Sequence, residues 1–471
     1  MPFQEADMDR FDLVTIGSGP AGEKGAAQAA YFGHKVAVVD RSPRPGGAPV
    51  NTGGIPTKTL REAAVYLTGF GKREIYGVGI GLGPDVMIDR LRSRAAQVQE
   101  AMSGAVAANL KRHDIEFVVG EATLRDHEVM VISESGEKRI LKADTILIAT
   151  GSRPWRPDGV PFDDPDVYDS DTILELDRMP ESMVVIGAGP VGAEYASIFT
   201  ALGVRVTMID LAERLVPFLD LEVSDVLKRH MEEEGVRLVL GVTGTVQRND
   251  GRLEVMLSNG ELLQPDAVLF AAGRVGNTEE LGLTEAGVEC DDRGRILVDD
   301  EYQTSTAGIY AAGDVIGPPA LASVSTEQGR VAICHAFGIP FKETVDPLPP
   351  YGVYSIPEVG MVGLTEESAR ESGVDYEVGR SWFTDNARSA IAGTQQGFIK
   401  LVLGREDRRL LGAHIVGEDA TELIHQPQTV IHHQGTIDYF IDSTFNVPTR
   451  SEAFKYAAYD ALQRLNERQS G

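Results

Sequence analysis

Two glycine triplets with the same spacing, Gly17-x-Gly19-x-x-Gly22 and Gly187-x-Gly189-x-x-Gly192, are the residues of this chain best suited to hold a phosphate ester. The first glycine of such a triplet lets the chain turn tightly out of a strand. The second lets the backbone come up against a pyrophosphate, and the third lets the following helix pack close to the strand. The phosphates then meet a helix N-terminus, where unpaired N–H groups and the helix dipole favour an anion. An acid closes each unit, Asp40 in the first and Asp210 in the second, placed to accept hydrogen bonds from a ribose diol. Two such units imply two dinucleotides. A carboxylate at Asp210 suits the 2′-hydroxyl of NAD(H) and repels the 2′-phosphate of NADP(H); Arg205 and Arg214 are the nearby cations that could compensate.

These residues need strands and helices to place them, and the flanking sequence supplies both. Residues 12–16 form a short β-branched apolar run, residues 25–32 an Ala-rich helical stretch, and residues 35–40 a second strand. Residues 183–186, 193–196 and 204–210 repeat that strand–helix–strand order. Further strands run into turns at Gly151, Gly273 and Gly313-Asp314. The last of these puts a carboxylate at the carboxyl edge of a strand, where ligands of open α/β sheets bind. Residues 87–109 read as a long polar helix. From about residue 345 the pattern changes to alternating strands, such as 397–403 and 411–417, with helical periods near 419–434 and 449–466. The expected fold class is α/β, two Rossmann-like dinucleotide-binding domains followed by a C-terminal α+β domain.

At 471 residues the chain is too long for one core. Its formal net charge of −27 argues against nucleic acid and anionic membranes as partners, since both need a basic face. Residues 1–11 hold no apolar run long enough for a signal peptide or a membrane span, so a cytoplasmic location is expected. Cys290 and Cys334 are far apart in sequence and read as buried free thiols. The histidines, among them His425, His432 and His433, form no HExxH-like pair, and no metal site is expected.

The landmarks, taken in order, resemble the flavoprotein disulfide reductases, the family of lipoamide dehydrogenase and glutathione reductase. That resemblance implies a discontinuous FAD-binding domain (1–150 and 275–345), an inserted NAD(P)-binding domain (151–274) and an interface domain (346–471) that makes a homodimer. It implies that Gly17, Gly19, Gly22, Asp40, Gly47, Lys58, Ala122, Gly151, Asp314 and Ala322 contact FAD. It further implies that Gly187, Gly189, Gly192, Asp210 and Gly273 line the site for a nicotinamide dinucleotide, the substrate NAD(P)(H).

Within the resemblance there is a gap. In the segment Gly46-Gly47-Ala48-Pro49-Val50-Asn51-Thr52-Gly53-Gly54-Ile55-Pro56-Thr57-Lys58 the family carries two cysteines where this chain has Pro49 and Gly54. Val447 likewise stands where the family has the His that serves those thiols, although Pro448, Thr449 and Glu452 remain. Both losses remove the same chemistry, the relay of electrons through a disulfide. What remains is hydride transfer at the flavin, with Lys58 expected to stabilise the reduced ring and Glu194 expected to be its ion-pair partner. Residues 54–63, 195–199, 313–317, 353–358 and 445–449 resemble a subgroup without the complete cysteine pair, which implies hydride transfer from NADPH to NAD⁺ in a ping-pong cycle. The rivals are an NAD(P)H-dependent diaphorase reducing a quinone or oxygen, and a non-enzymatic flavoprotein that senses nucleotides through a protein partner.

Overall fold

The strand Met8–Ile16 lies in the interior of a sheet, which explains its apolar run: Leu13 and Val14 have no exposed surface. In this computed structural model, which describes residues 8–69 and 84–469, that strand pairs in parallel with Val36–Asp40 on one side and Lys138–Ile148 on the other. Glu116–Val119 continues the parallel sheet beyond Val36–Asp40, and Ile309–Ala311 pairs in parallel with the last residues of Lys138–Ile148. The first part of Lys138–Ile148 carries an antiparallel arm made of Glu128–Ile132 and Glu121–Arg125. The expected polar helix is present and longer than its sequence pattern suggested, running Pro84–Arg112. The acidic stretch at residues 1–7 lies outside the described residues.

The chain divides into two compact units. The first takes residues up to 59, 93–155 and 273–347, and contains the sheet just described. The second takes residues 60–92, 156–272 and 348–471. Its parallel sheet runs Arg237–Leu240, Arg205–Asp210, Ser182–Ile186, Ala267–Phe270 and Val167–Asp169 in spatial order. This repeats the strand–turn–helix–strand order of the first sheet, with Pro190–Ala201 as the helix between Ser182–Ile186 and Arg205–Asp210. The region after 348 forms a separate five-stranded antiparallel sheet, in the order Tyr351–Val353, Val359–Gly363, Leu410–Val416, Phe398–Gly404, Tyr376–Trp382. The final helix, Glu452–Gln469, lies so close to this sheet that a Cβ on Gly379 would meet the Ala457 carbonyl oxygen at 2.0 Å. The α/β class with an added α+β domain is thus the observed fold. None of the described helices is long and apolar enough to cross a membrane.

One expectation about the thiols fails. Cys334 is buried on the helix Ala322–Ala336, but Cys290 is exposed, in an isolated bridge to Ile296. The short bridge sits at the surface, and a small apolar residue there gains no core.

The second unit also buries an ionic cluster. Lys400, 1 % exposed, places Nζ 2.8 Å from Asp220 Oδ1, 3.1 Å from Glu222 Oε2 and 2.6 Å from Glu366 Oε2. Burial opposes its charge, but the three carboxylates more than offset that and hold its pKa above the ordinary lysine value. Burial raises Asp220, but the facing His414 and Lys400 charges, with hydrogen bonds from Lys400 and the Glu366 backbone N–H, more than offset it and leave Asp220 below the usual carboxylate range. Asp220 also caps the helix Leu221–Glu233 by accepting from Glu222 N at 3.1 Å.

Cross-strand from Lys400 lies His414, with no exposed surface and its Nε2 2.9 Å from the Leu364 carbonyl oxygen. Burial pushes the His414 pKa below 6.5, and the Asp220 charge and the Leu364 carbonyl do not overcome that. In the unfolded chain this imidazole binds a proton near pH 6.5, whereas in the fold it does so only at lower pH. The stability it contributes is therefore complete above pH 6.5 and is lost as pH falls. We predict that unfolding free energy drops between pH 7.5 and 5.5, and that His414→Gln flattens this slope by up to about 1.4 kcal/mol per pH unit below 6.5. Urea denaturation at the two pH values measures it; an unchanged slope in the variant would assign the drop to other groups.

Candidate functional site

At the first triplet the chain leaves Met8–Ile16 and turns into the helix Pro20–Tyr31. Gly17 has φ +104°, and a Cβ there would sit 2.2 Å from the Ala149 carbonyl oxygen, so no other residue fits. A Cβ on Gly22 would lie 1.9 Å from the Gly17 carbonyl oxygen, which is the close helix–strand packing expected of the third glycine. A Cβ on Gly19 would meet only the Gly47 Cα, at 3.9 Å, so the backbone of the turn stays open at the helix N-terminus. Gly47 has φ +62° and lies against that same Gly19 backbone. The cradle is what a pyrophosphate requires, and the first unit's residues therefore fit FAD.

Asp40 ends the next strand. Its Oδ2 accepts from Ser18 N (2.8 Å) and Ser18 Oγ (2.6 Å), and its Oδ1 from Ser42 N (2.9 Å). A carboxylate has about four acceptor positions, so Asp40 keeps one for a ribose while it also pins the turn. Ser18 accepts in turn from Gly46 N at 3.1 Å, joining the first triplet to the segment that carries Gly47. Ser18 is a positioning residue missed in the sequence, where it looks like a filler between glycines.

The other first-unit residues collect along the carboxyl ends of the same strands. Gly151, at φ +68°, follows Lys138–Ile148, and its carbonyl accepts from Asn277 N at 2.9 Å. Asp314 follows Ile309–Ala311, and its Oδ2 accepts from Ser152 Oγ at 2.8 Å; Arg274 Nε donates to that hydroxyl at 2.9 Å. Gly313 N donates to Gln328 Oε1 on the helix that Ala322 opens, 2.9 Å away, and Ala322 is exposed at its start. Ala122 lies in Glu121–Arg125, two residues beyond Gly120, whose N–H donates to the Asp40 carbonyl at 2.9 Å. Lys58 is half-buried in the first turn of Ile55–Thr68. Positions 49 and 54 are in contact: a Cβ on Gly54 would lie 2.4 Å from the Pro49 carbonyl oxygen.

The second triplet repeats the geometry in the second unit. A Cβ on Gly192 would meet the Gly187 carbonyl oxygen at 1.8 Å, Gly187 has φ +117°, and nothing lies within 4 Å of a Cβ on Gly189. Asp210 Oδ2 accepts from Ala188 N at 2.5 Å and Oδ1 from Ala212 N at 2.7 Å. With two acceptor positions in use it has more left for a ribose diol than Asp40 has. Glu194, 5 % exposed on Pro190–Ala201, accepts from Tyr354 N at 2.9 Å. Lys58 and Glu194 fall in different units, and Gly273 falls with the first, its carbonyl accepting from Trp155 N at 3.1 Å. Val447 is 67 % exposed, and Glu452 begins the final helix with Oε1 3.4 Å from Tyr456 Oη. A separate cleft of about 520 Å³, lined by Asp220, Glu222, Lys228, Glu366 and Lys400, has its buried charges paired with one another and lacks a glycine turn.

Two glycine cradles, each closed by an acid at a strand end, define a protein that binds two dinucleotides. Residues 11–329 match the pyridine nucleotide-disulphide oxidoreductase family and residues 349–458 match that family's dimerisation domain. The chain belongs to the pyridine nucleotide-disulphide oxidoreductases, enzymes that use FAD and NAD(P)(H). It is 43% identical over 461 residues to the soluble pyridine nucleotide transhydrogenase of Mycobacterium tuberculosis, covering 97% of this chain and 98% of the relative. Its identity to the protein of that name from Marinomonas sp. is 39%, covering 97% and 99%. Among solved structures it resembles LpdA of Mycobacterium tuberculosis (TM-score 0.88, 26% identity, 96% and 99% covered). It also resembles the HOCl-induced flavoprotein disulfide reductase RclA of Escherichia coli in its Cu(II) complex (TM-score 0.87, 28% identity, 96% and 99% covered).

The two cradles are separable by substitution. Forcing a Cβ against a backbone carbonyl costs about 1–3 kcal/mol or a displaced turn. Gly22→Ala is expected to lower the flavin-to-protein absorbance ratio of the purified protein. Gly192→Ala is expected to keep the flavin and weaken NADH binding about tenfold or more, ~1.4 kcal/mol. Flavin loss of equal size in both variants would show that the two turns do not serve separate dinucleotides.

Proposed function

We propose that this enzyme transfers hydride between nicotinamide dinucleotides through FAD, with NADPH as donor and NAD⁺ as acceptor in a ping-pong cycle, and without a disulfide step. The observation that carries the reading is the pair of complete cradles combined with Pro49 and Gly54 in direct contact, where neither residue offers a thiol. The relatives named as soluble pyridine nucleotide transhydrogenases support it. FAD, when bound, supplies a ring nitrogen that takes a hydride from one nicotinamide and returns it to another.

The chain's part is to hold, orient and exclude. Gly17, Gly19, Gly22 and Gly47 hold the flavin's pyrophosphate, and Asp40 and Asp314 its hydroxyls. Ala122, Gly151 and Ala322 border it. Gly187, Gly189 and Gly192 hold the pyrophosphate of the exchanging dinucleotide and Asp210 its ribose, with Gly273 at the edge of that site. Holding donor and acceptor in near-attack geometry is the main source of rate, because no covalent step has to be catalysed. Lys58 supplies the positive charge that the reduced ring needs, and Glu194 is the second side chain this reading assigns to catalysis. In this reading residues 1–150 and 275–345 bind FAD, 151–274 bind NAD(P)(H), and 346–471 join two copies as a homodimer.

Anaerobic titration with NADPH is expected to consume about two electrons per flavin, without the long-wavelength band of a thiolate beside the flavin. Reduced enzyme should pass its hydride to a thio-analogue of NAD⁺. Uptake of four electrons would mean a second redox centre, and failure with the analogue alongside rapid quinone reduction would favour the diaphorase.

Lys58→Met is expected to slow both half-reactions about tenfold, ~1.4 kcal/mol of barrier, with flavin content retained. If Glu194 acts through Lys58, Glu194→Gln should add little to that loss in the double variant. Stopped-flow traces at the wild-type rate would remove Lys58 from the mechanism.

A further inference from the structure

Asp210 is followed by ten residues that lead to the helix Leu221–Glu233, and in that stretch Arg214 is the sole cation. Arg205 is no substitute. It is exposed at the opposite end of the six-residue strand Arg205–Asp210, roughly 16 Å away at about 3.3 Å per residue. Any side-chain cation in this turn that meets the 2′-phosphate of NADP(H) is therefore Arg214. Yet Arg214 is committed elsewhere: its Nη1 lies 3.1 Å from Glu367 Oε1. Its Nε is buried, with no hydrogen-bond partner among the described residues, and so is Glu367 Oε2. The neighbouring Leu215 and Val216 have no exposed surface, and Val216 N donates to the Ala188 carbonyl at 2.8 Å, which fixes the turn.

Glu367 is itself held firmly. It lies on Glu366–Glu371, whose start is set by a reciprocal cap between Thr365 and Ser368. Its Oε1 accepts a second bond, from Leu221 N at 2.9 Å. The adjacent Glu366 is also tied down: its N–H donates to Asp220 Oδ2 at 3.1 Å, and its carboxylate meets the buried Lys400, Arg380 and the Tyr376 hydroxyl. The dimerisation domain thus reaches into the turn after Asp210 and takes its only cation. With Glu213 also exposed there, a 2′-phosphate meets two carboxylates and no free positive side chain from this turn.

We propose that Glu367 sets the nucleotide preference of the second cradle by holding Arg214 away from the 2′ position, so that NAD(H) binds better than NADP(H). Glu367 is a positioning residue that acts through Arg214. The inference rests on the reading that Gly187–Gly192 and Asp210 bind the exchanging dinucleotide. It does not depend on which acceptor is physiological.

The test is equilibrium binding of NAD⁺ and NADP⁺ to the FAD-loaded enzyme, followed by calorimetry, with no turnover involved. The wild-type enzyme should bind NAD⁺ more tightly. Arg214→Ala should leave the NADP⁺-to-NAD⁺ ratio of dissociation constants within about twofold of wild type, because the cation is already withheld. Glu367→Ala should lower that ratio about fivefold or more by tightening NADP⁺, and the Glu367→Ala/Arg214→Ala double variant should restore it. A selective loss of NADP⁺ affinity in Arg214→Ala would overturn the proposal, since Arg214 would then already read the phosphate. An equal shift of both dissociation constants in Glu367→Ala would also overturn it, showing only a structural role. If Glu367→Ala does not fold, Glu367→Gln, which keeps the shape and removes the charge, takes its place with the same expected and overturning outcomes. Loss of binding of both dinucleotides in Gly192→Ala is the separate sign that the cradle assignment holds, and its absence would bring down that reading and this one together.

Discussion

The contact on which both halves of this enzyme depend is a backbone carbonyl against a glycine. The Gly17 carbonyl oxygen occupies the space a Cβ on Gly22 would need, and Gly187 does the same to Gly192. Because no side chain stands between them, helix and strand approach far more closely than packed side chains allow. That approach brings the helix N-terminus, with its unpaired N–H groups, over the end of the sheet. Everything else at the two sites is arranged around those turns. In the first unit, Ala149, Gly47 and the 313–314 turn meet the same corner of the sheet, and in the second, Ala271 and Ala272 pack on Gly187.

Carboxylates then fix the turns from the side. Asp40 and Asp210 each accept from the N–H of the residue after the first glycine, Ser18 and Ala188, and from an N–H two residues beyond the acid itself. An acid at the strand end is therefore part of the turn before it is part of any ligand site. Several N–H donors converge on it and fix its orientation at the strand end. The two sites differ in one added hydroxyl: Ser18 takes a third acceptor position of Asp40, and Ala188 leaves Asp210 freer. A permanently held cofactor tolerates a crowded acid. A substrate that comes and goes needs open acceptor positions.

What could be read from the sequence was what local backbone geometry demands. The triplets, the acids that close them and the strands that feed them are short-range patterns, and they stand where expected. Long-range partners were not legible. Lys400 meets Asp220 across 180 residues, and Glu367 meets Arg214 across 153, because the topology lays the antiparallel sheet against the helix Leu221–Glu233. Nothing in the residues near Asp210 signals that Arg214 is already bound. Ser18, Ser152 and Arg274 were invisible for a related reason: hydroxyl and guanidinium relays to an acid carry no spacing rule. Cys290 misled because the rule that free thiols are buried speaks of averages, and this one lies in a surface bridge.

That neither Pro49 nor Gly54 carries a thiol bears on nucleotide selection. An enzyme that sends electrons onward through a disulfide can discriminate sharply between dinucleotides, since it needs to bind only its reductant. If the flavin is discharged by a second dinucleotide instead, the cradle at Gly187–Gly192 must accept both in turn. Each tenfold of preference for one is then about 1.4 kcal/mol of handicap for the other. A fixed arginine on the 2′-phosphate would hold NADP⁺ after it had given up its hydride and would slow the exchange. A fixed acid alone disfavours NADPH in the first step without excluding it. On the proposal above, Asp210 with Arg214 withheld by Glu367 stands on the acid's side. The preference would then rest on two features together, the acid at the strand end and the ion pair of Arg214 with Glu367.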